Sequence, residues 1–141
     1  MKGFLLDTNV LSELRKGARA DANVQRWFAR VDENSIFLSV LVTGEIRRGI
    51  EAIRKRDPRA ATALERWLDN LMQAHSDRVL PVDAATADEW SKLDARGRLP
   101  VVDGLLAATA RVHDLTLVTR NVKDVVRSGV DLLDPFAPTT Q

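Results

Sequence analysis

Cysteine is absent from the 141-residue chain, and aromatic residues make up only 5% of it. Without cysteine the protein can form neither a disulfide framework nor a metal site with thiolate ligands. No apolar run approaches the roughly 20 residues that a membrane-spanning helix requires. The N-terminus has one Lys and a short apolar stretch that Asp7 interrupts, which is not the pattern of a signal peptide. We therefore expect a cytoplasmic protein without a membrane partner.

A strong charge of one sign is also lacking, since the formal net charge is +1. Any anionic partner must therefore meet a local basic patch rather than a field from the whole surface. Hydrophobic residues make up 45% and charged residues 29%, as in ordinary globular proteins. The length predicts a single domain over residues 1–141.

Short apolar runs alternate with longer amphipathic stretches along the chain. The apolar runs predict buried strands at 3–6, 36–40, 79–82, 115–119 and 130–133. The amphipathic stretches predict helices at 23–31, 43–55, 84–95 and 103–113, and one more that starts at Asp57-Pro58. Strands of this kind separated by helices are typical of an α/β fold with a parallel sheet covered on both faces.

Acidic and amide side chains stand near the ends of these predicted strands. Asp7 follows the first strand in LLDTNV, and Glu45 lies in the helix after the second, in TGEIRRG. Asp103 opens the helix that leads into the fourth strand, and Asn121 and Asp124 follow that strand. Ligands of open parallel sheets bind beyond the carboxyl ends of the strands. We therefore expect these groups to converge on one crevice.

Each acid also has a purely structural explanation. Asp7, Asp103 and Asp124 are in positions to cap helices, and Glu45 is near the positive end of a helix dipole. Two details favour a site. The small residue Gly49 follows Glu45 on its helix face, and Asp103 stands at the mouth of a helix that is apolar nearly all round.

A cluster of carboxylates favours a particular chemistry. Like charges repel, so the group must take up protons or hold a cation. Hard oxygen ligands favour Mg²⁺, with Mn²⁺ as a substitute, over Zn²⁺. The predicted reaction is metal-assisted hydrolysis of a phosphodiester, with Asp7, Glu45 and Asp103 as metal ligands and catalytic residues.

Four motifs occur in order between Phe4 and Pro135, and they are LLDTNV, TGEIRRG, DGLLAATA and VTRN. This ordered set resembles PIN-domain proteins, and within them the VapC and FitB toxins of type II toxin–antitoxin pairs. The resemblance implies a three-layer α/β/α domain with a central parallel sheet of about four to five strands. It also implies a Mg²⁺-dependent endoribonuclease with an RNA substrate, a homodimer, and a hetero-oligomer with a cognate antitoxin.

The resemblance extends to single residues. Asp7, Glu45 and Asp103 match the three core acids of the family's metal site. Supporting roles fall to the polar residues that follow the first acid and the fourth strand, namely Thr8, Asn9 and Thr119.

The fourth position departs from the family pattern. Many relatives carry Asp where this chain has Asn121, and the nearest acid is Asp124. The carbonyl of Asn121 can coordinate a metal or hold a water, but it adds no negative charge. The supporting role at this position is left open between Asn121 and Asp124.

Basic residues flank two of the acids. Arg47 and Arg48 adjoin Glu45, and Arg96 and Arg98 precede Asp103. They are candidates for contacts with RNA phosphates. The alternatives are ion pairs, solvated helix faces, or contacts with an acidic patch of the antitoxin.

Two other functions compete with this interpretation. A haloacid-dehalogenase-like phosphohydrolase would use Asp7 as its nucleophile, but such enzymes usually have a second Asp where this chain has Asn9. A degenerate PIN-like module that binds RNA or protein without cutting is supported only by Asn121. The sequence identifies neither the RNA target nor the antitoxin.

Overall fold

The computed structural model of the chain describes residues 2–138, which form an α/β fold with a five-stranded parallel sheet. The strands are β1 (Phe4–Leu6), β2 (Ile36–Ser39), β3 (Val79–Leu80), β4 (Thr116–Val118) and β5 (Leu132–Leu133). The helices are α1 (Thr8–Leu14), α2 (Ala22–Arg30), α3 (Val40–Arg54), α4 (Pro58–Ala74), α5 (Ala84–Arg96), α6 (Val101–Val112) and α7 (Val122–Val125). Single 3₁₀ turns occur at Gly17–Arg19, Glu33–Ser35 and Val126–Ser128. The predicted α/β class with a central parallel sheet of about four to five strands is confirmed, and each of the five strands lies within one of the predicted apolar runs.

The strand order across the sheet is β3-β2-β1-β4-β5, and every neighbouring pair is parallel. The chain runs outward from β1 to β3 and then returns to β4 on the other side of β1. Because crossovers between parallel strands are almost always right-handed, this reversal of direction is expected to put the α1–α4 connections and the α5–α6 connection on opposite faces of the sheet. Open α/β sheets bind ligands where the strand order reverses, which here lies between β1 and β4.

The three inner strands β2, β1 and β4 carry the buried side chains of the sheet, whereas the edge strands β3 and β5 are only partly buried. Leu5, Leu6, Leu38 and Leu117 are fully or almost fully buried in one core cluster. Smaller apolar clusters fill the contacts between α3 and α4 and between α5 and α6. The three tryptophans, Trp27, Trp67 and Trp90, pack against these clusters, and Trp27 meets the ring of Phe4 edge-on at 5.5 Å between centroids.

Capping residues explain two boundaries that differ from the prediction. The Ser39 hydroxyl accepts a hydrogen bond from the N–H of Leu41 at 3.0 Å, so β2 ends at Ser39 and α3 begins three residues earlier than expected. Pro100 is the N-cap of α6, which begins at Val101. Asp103 therefore lies inside the first turn of α6 and does not open it, which corrects that prediction.

Across residues 2–138, no helix has both the length and the apolar character that crossing a membrane would need.

Candidate metal centre

Asp7 stands directly after β1, at the carboxyl edge of the sheet. Its backbone is extended, its N–H donates to the Val118 carbonyl of β4, and the residue is only 7% exposed. One carboxylate oxygen accepts a hydrogen bond from the N–H of Thr8 at 2.7 Å, so Asp7 caps α1. The structural explanation for Asp7 is therefore real, and it leaves the second oxygen for other partners.

The second oxygen of Asp7 is held from β4. The Thr119 hydroxyl donates to Asp7 Oδ2 at 2.8 Å, and the Asn9 amide lies 3.4 Å from the same oxygen. Thr119 is 1% exposed, and its hydroxyl also accepts a hydrogen bond from the N–H of Asn121 at 3.0 Å. These bonds join the ends of β1 and β4 at the reversal of the strand order.

Glu45 reaches the same edge from the second turn of α3. The Thr8 hydroxyl donates to Glu45 Oε1 at 2.7 Å, across 37 residues of sequence. Because Thr8 also gives its N–H to Asp7, one residue connects the first acid with the second. The polar pair Thr8 and Asn9 thus contacts both acids through hydrogen bonds.

The pKa values show that the acids act on one another. Burial raises the pKa of Asp103, and the negative charges of Asp7, Asp124 and Glu45 raise it further. Burial likewise raises the pKa of Asp7, and the charge of Glu45 adds to the effect. Hydrogen bonds to Asp7 from the Thr119 hydroxyl and the Thr8 N–H partly offset this rise. Ionising the whole group in the absence of a cation is therefore unfavourable.

The donor chemistry of this group fits Mg²⁺, which prefers carboxylate oxygens. Within residues 2–138, however, no three acidic or His side chains lie close enough together to hold a metal ion as they stand. Asp7 is fixed by its hydrogen bonds, whereas Asp103 accepts no side-chain hydrogen bond from any residue in that range. As they stand, Asp7 and the half-buried side chains of Glu45 and Asp103 do not form a closed set of metal ligands.

The two candidates for the fourth position differ in their contacts. Asn121 is exposed, precedes α7 and bonds to Thr119 through its backbone N–H. Asp124 lies within α7 and contributes negative charge at Asp103. Neither side chain caps α7, so the capping explanation for Asp124 does not hold.

The basic residues occupy different surroundings. Arg47 pairs with Asp69 at 3.0 Å and with Glu65 at 3.7 Å, which ties α3 to α4. Arg48, Arg96 and Arg98 are exposed, the last two on either side of the turn before α6. Contact of these four arginines with RNA stays a prediction.

Arg120, which follows Thr119 in VTRN, is not among the site residues predicted from the sequence. Its backbone N–H donates to Asn9 Oδ1 at 3.1 Å, and its guanidinium lies over the Phe136 ring at 4.6 Å from the centroid. Its place next to Thr119 was a usable signal, but the aromatic partner comes 16 positions later and no periodicity connects the two.

Comparison with known proteins identifies a family and solved structures with the same fold. The PIN domain family model matches residues 4–123. The VapC ribonuclease Y4jK of Sinorhizobium fredii is 30% identical over 140 residues, which cover 96% of this chain and 99% of that protein. Toxin FitB of Neisseria gonorrhoeae is 26% identical over 138 residues, which cover 94% of this chain and 98% of that protein. The crystal structure of FitAcB from Neisseria gonorrhoeae superposes with a TM-score of 0.73 at 24% identity, over 94% of this chain and 98% of that one.

Proposed function

Since the chain belongs to the PIN domain family and is homologous to a VapC ribonuclease and to toxin FitB, we propose that it is a Mg²⁺-dependent endoribonuclease. We further propose that it acts in the cytoplasm, as one domain, as the toxin of a type II toxin–antitoxin pair.

The observation that carries this proposal is the mutual charge of the acids at the carboxyl edge of β1 and β4. Asp103 experiences the charges of Asp7, Glu45 and Asp124 at once. A protein does not stabilise itself with such a group, so its use is to attract a divalent cation. Asp7, Glu45 and Asp103 are the residues that would hold Mg²⁺ or Mn²⁺.

A bound Mg²⁺ supplies polarisation of the attacking water and neutralises charge on the phosphate. Neighbouring residues of the chain hold the carboxylate oxygens in place through hydrogen bonds. Thr119 and Asn9 hold Oδ2 of Asp7, and Thr8 holds Oε1 of Glu45. The proposal assigns the other oxygen of Glu45, Oε2, to take the proton from the nucleophile.

We assign the supporting fourth position to Asp124. Its charge acts on Asp103, whereas within residues 2–138 Asn121 enters the hydrogen-bond network only through its backbone N–H. Removing the Asn121 side chain should then affect cleavage less than removing the charge of Asp124.

The proposed partner is a cognate antitoxin. The solved structures with this fold include FitAB bound to a DNA fragment and DNA-bound VapBC from Salmonella typhimurium. By analogy we propose a homodimer that assembles with the antitoxin into a hetero-oligomer. Production of the protein without its antitoxin should then arrest growth.

The decisive experiment is cleavage of a mixed small-RNA pool by the purified protein, with Mg²⁺ and with EDTA. Asp7→Asn and Asp103→Asn should each lower the rate by at least about 100-fold, since each removes a charged metal ligand. Both variants should stay folded, because the substitutions relieve repulsion. Asp88→Asn, at an exposed position of α5, is the matched control and should cut like the wild type.

Different failures have different meanings. Wild-type rates in Asp7→Asn would show that the site is assigned wrongly, and full activity in EDTA would show that no metal is needed. If the wild type binds RNA but cuts none with Mg²⁺ or Mn²⁺, the degenerate binding module becomes the better description.

A further inference from the structure

Arg120 is a cation whose backbone belongs to the hydrogen-bond frame of Asp7. It directly follows Thr119, whose hydroxyl holds Asp7 Oδ2. Its own N–H donates to Asn9 Oδ1, while the amide of Asn9 approaches the same oxygen of Asp7. These hydrogen bonds thus hold the backbone of Arg120 in place relative to Asp7, the proposed metal ligand.

The side chain of Arg120 lies on an aromatic ring, that of Phe136, which is itself held in place by other contacts. Its guanidinium lies over the ring of Phe136, 4.6 Å from the centroid. The Phe136 N–H donates to Asp134 Oδ1, its carbonyl accepts from the Asn23 amide at 2.9 Å, and its ring packs against the main core cluster. Stacking on a ring uses one face of the guanidinium and leaves its in-plane N–H donors available.

No carboxylate among residues 2–138 forms an ion pair with Arg120. This is notable because the residue adjoins a group of acids, whereas Arg47 and Arg54 each pair with nearby carboxylates. The Phe136 platform holds the guanidinium as an oriented donor without an anionic partner from the described chain. An oriented guanidinium of this kind is suited to a phosphate, which its planar fork can bind through two hydrogen bonds.

We infer that Arg120 is a phosphate-binding residue for the RNA substrate and that Phe136 is the residue that positions it. This inference rests on the proposed function, because the phosphate it names is one beside the bond that the acids would cleave. It assigns a role in substrate binding to the segment after β5, which none of the four motifs includes.

The test is binding of a fluorescein-labelled single-stranded RNA of mixed sequence, followed by anisotropy in EDTA so that no cleavage occurs. Arg120→Ala should bind about tenfold more weakly, as expected for loss of a charge-assisted contact. The slope of log K against log salt should fall by roughly 0.7, the value for one phosphate contact on a single strand. Arg120→Lys should recover the salt slope but only part of the affinity, since it lacks the planar fork.

Phe136 is tested separately, because its role is indirect. Phe136→Leu keeps the charge of Arg120 and most of the apolar packing but removes the ring face, so binding should weaken without loss of the salt slope. Phe136→Trp should retain wild-type affinity. Arg59→Ala, which removes an exposed arginine of α4, is the matched control and should bind normally. Circular dichroism checks that each variant is folded.

Wild-type affinity and salt slope in Arg120→Ala would overturn the inference. Wild-type binding by folded Phe136→Leu would overturn the positioning role. If Asp7→Asn abolishes cleavage while Arg120→Ala binds RNA normally, the proposed function stands and only this inference fails. If Arg120→Ala weakens RNA binding but the wild type never cleaves, the proposed function fails and the phosphate contact stands.

Discussion

The single hydroxyl of Thr119 takes part in two hydrogen bonds. It donates to Asp7 Oδ2 and accepts from the N–H of Asn121, at a position that is 1% exposed. A buried carboxylate without its donors is costly, and the rise in the pKa of Asp7 shows that burial already outweighs the hydrogen bonds it has. The conformation of Asp7 therefore depends on a residue that carries no charge and cannot itself be a strong metal ligand.

Thr119→Val tests this dependence, because it removes the hydroxyl and nearly keeps the shape. The free energy of unfolding at neutral pH should fall by about 1–3 kcal/mol, the cost of a buried group left without its partner. Thr119→Ser keeps the donor and should lose much less. Urea unfolding in EDTA measures both variants.

The pH dependence of this loss has a definite sign. The pKa of Asp7 is raised above 3.8, so the wild type loses stability from this group as the pH rises through the raised value. Removing the Thr119 donor raises the pKa of Asp7 further, so the free energy of unfolding of Thr119→Val should fall more than that of the wild type over the same rise in pH. The difference in free energy of unfolding between the two proteins should therefore shrink as the pH falls and Asp7 takes up its proton. A deficit that is constant over this pH range would mean that packing, and not the bond to Asp7, is what the substitution removes.

Among the elements, the pair α5 and α6 positions Asp103. The indole of Trp90 on α5 packs against Gly104 on α6, and a Cβ on Gly104 would lie 3.0 Å from both Cδ1 and Nε1 of that ring. The indole N–H is buried and has no hydrogen-bond partner among residues 2–138, so the ring is held by packing alone. Close approach of the two helices thus requires glycine directly after Asp103.

Gly104→Ala should lower the free energy of unfolding by about 1–2 kcal/mol, since overpacking exceeds the roughly 1 kcal/mol gained in helix propensity. The loss should be smaller in a Trp90→Phe background, where the smaller ring makes room. Gly49→Ala is the matched control, because a Cβ added at Gly49 would have nothing within 4 Å. This substitution should stabilise α3 by about 0.5–1 kcal/mol. Equal losses for Gly104→Ala in both backgrounds would show that contact with Trp90 is not the cause.

For the whole molecule, the sheet places β1 and β4 side by side although 112 residues separate Asp7 from Thr119. It also joins α3 to this edge through Thr8 and Glu45, and α6 through Asp103. A cation bound there would connect β1, α3 and α6. The folded state alone can bring these segments together, so binding of the ion should stabilise the whole fold.

Thermal unfolding measures that linkage. Mg²⁺ at 100 times its dissociation constant should add about 2.7 kcal/mol, which raises the Tm of a chain of this size by roughly 8 °C. Asp103→Asn should show a much smaller rise, and KCl at the same ionic strength should produce little change in either protein. A rise of equal size in wild type and Asp103→Asn would place the ion elsewhere.

Sequence alone determined the order of strands and helices, because apolar runs and amphipathic periods are local properties of the chain. It also predicted that Asp7 would stand at the carboxyl edge of the sheet, since any residue after a parallel strand lies there. The starts of α3 and α6 were predicted too late. The hydroxyl of Ser39 caps α3 ahead of its periodic segment, whereas Pro100 precedes the first turn of α6 without a capping side-chain hydrogen bond.

Tertiary structure decided the partners of the side chains. The bond from Thr119 to Asp7, the charge of Asp124 at Asp103, and the stacking of Arg120 on its ring all join segments that lie apart in sequence or on separate elements. Such contacts depend on strand order and on side-chain direction, and neither has a local signature. The kinds of chemistry available to this protein can therefore be read from its residues, whereas the contacts that hold and orient those residues exist only once the sheet has formed.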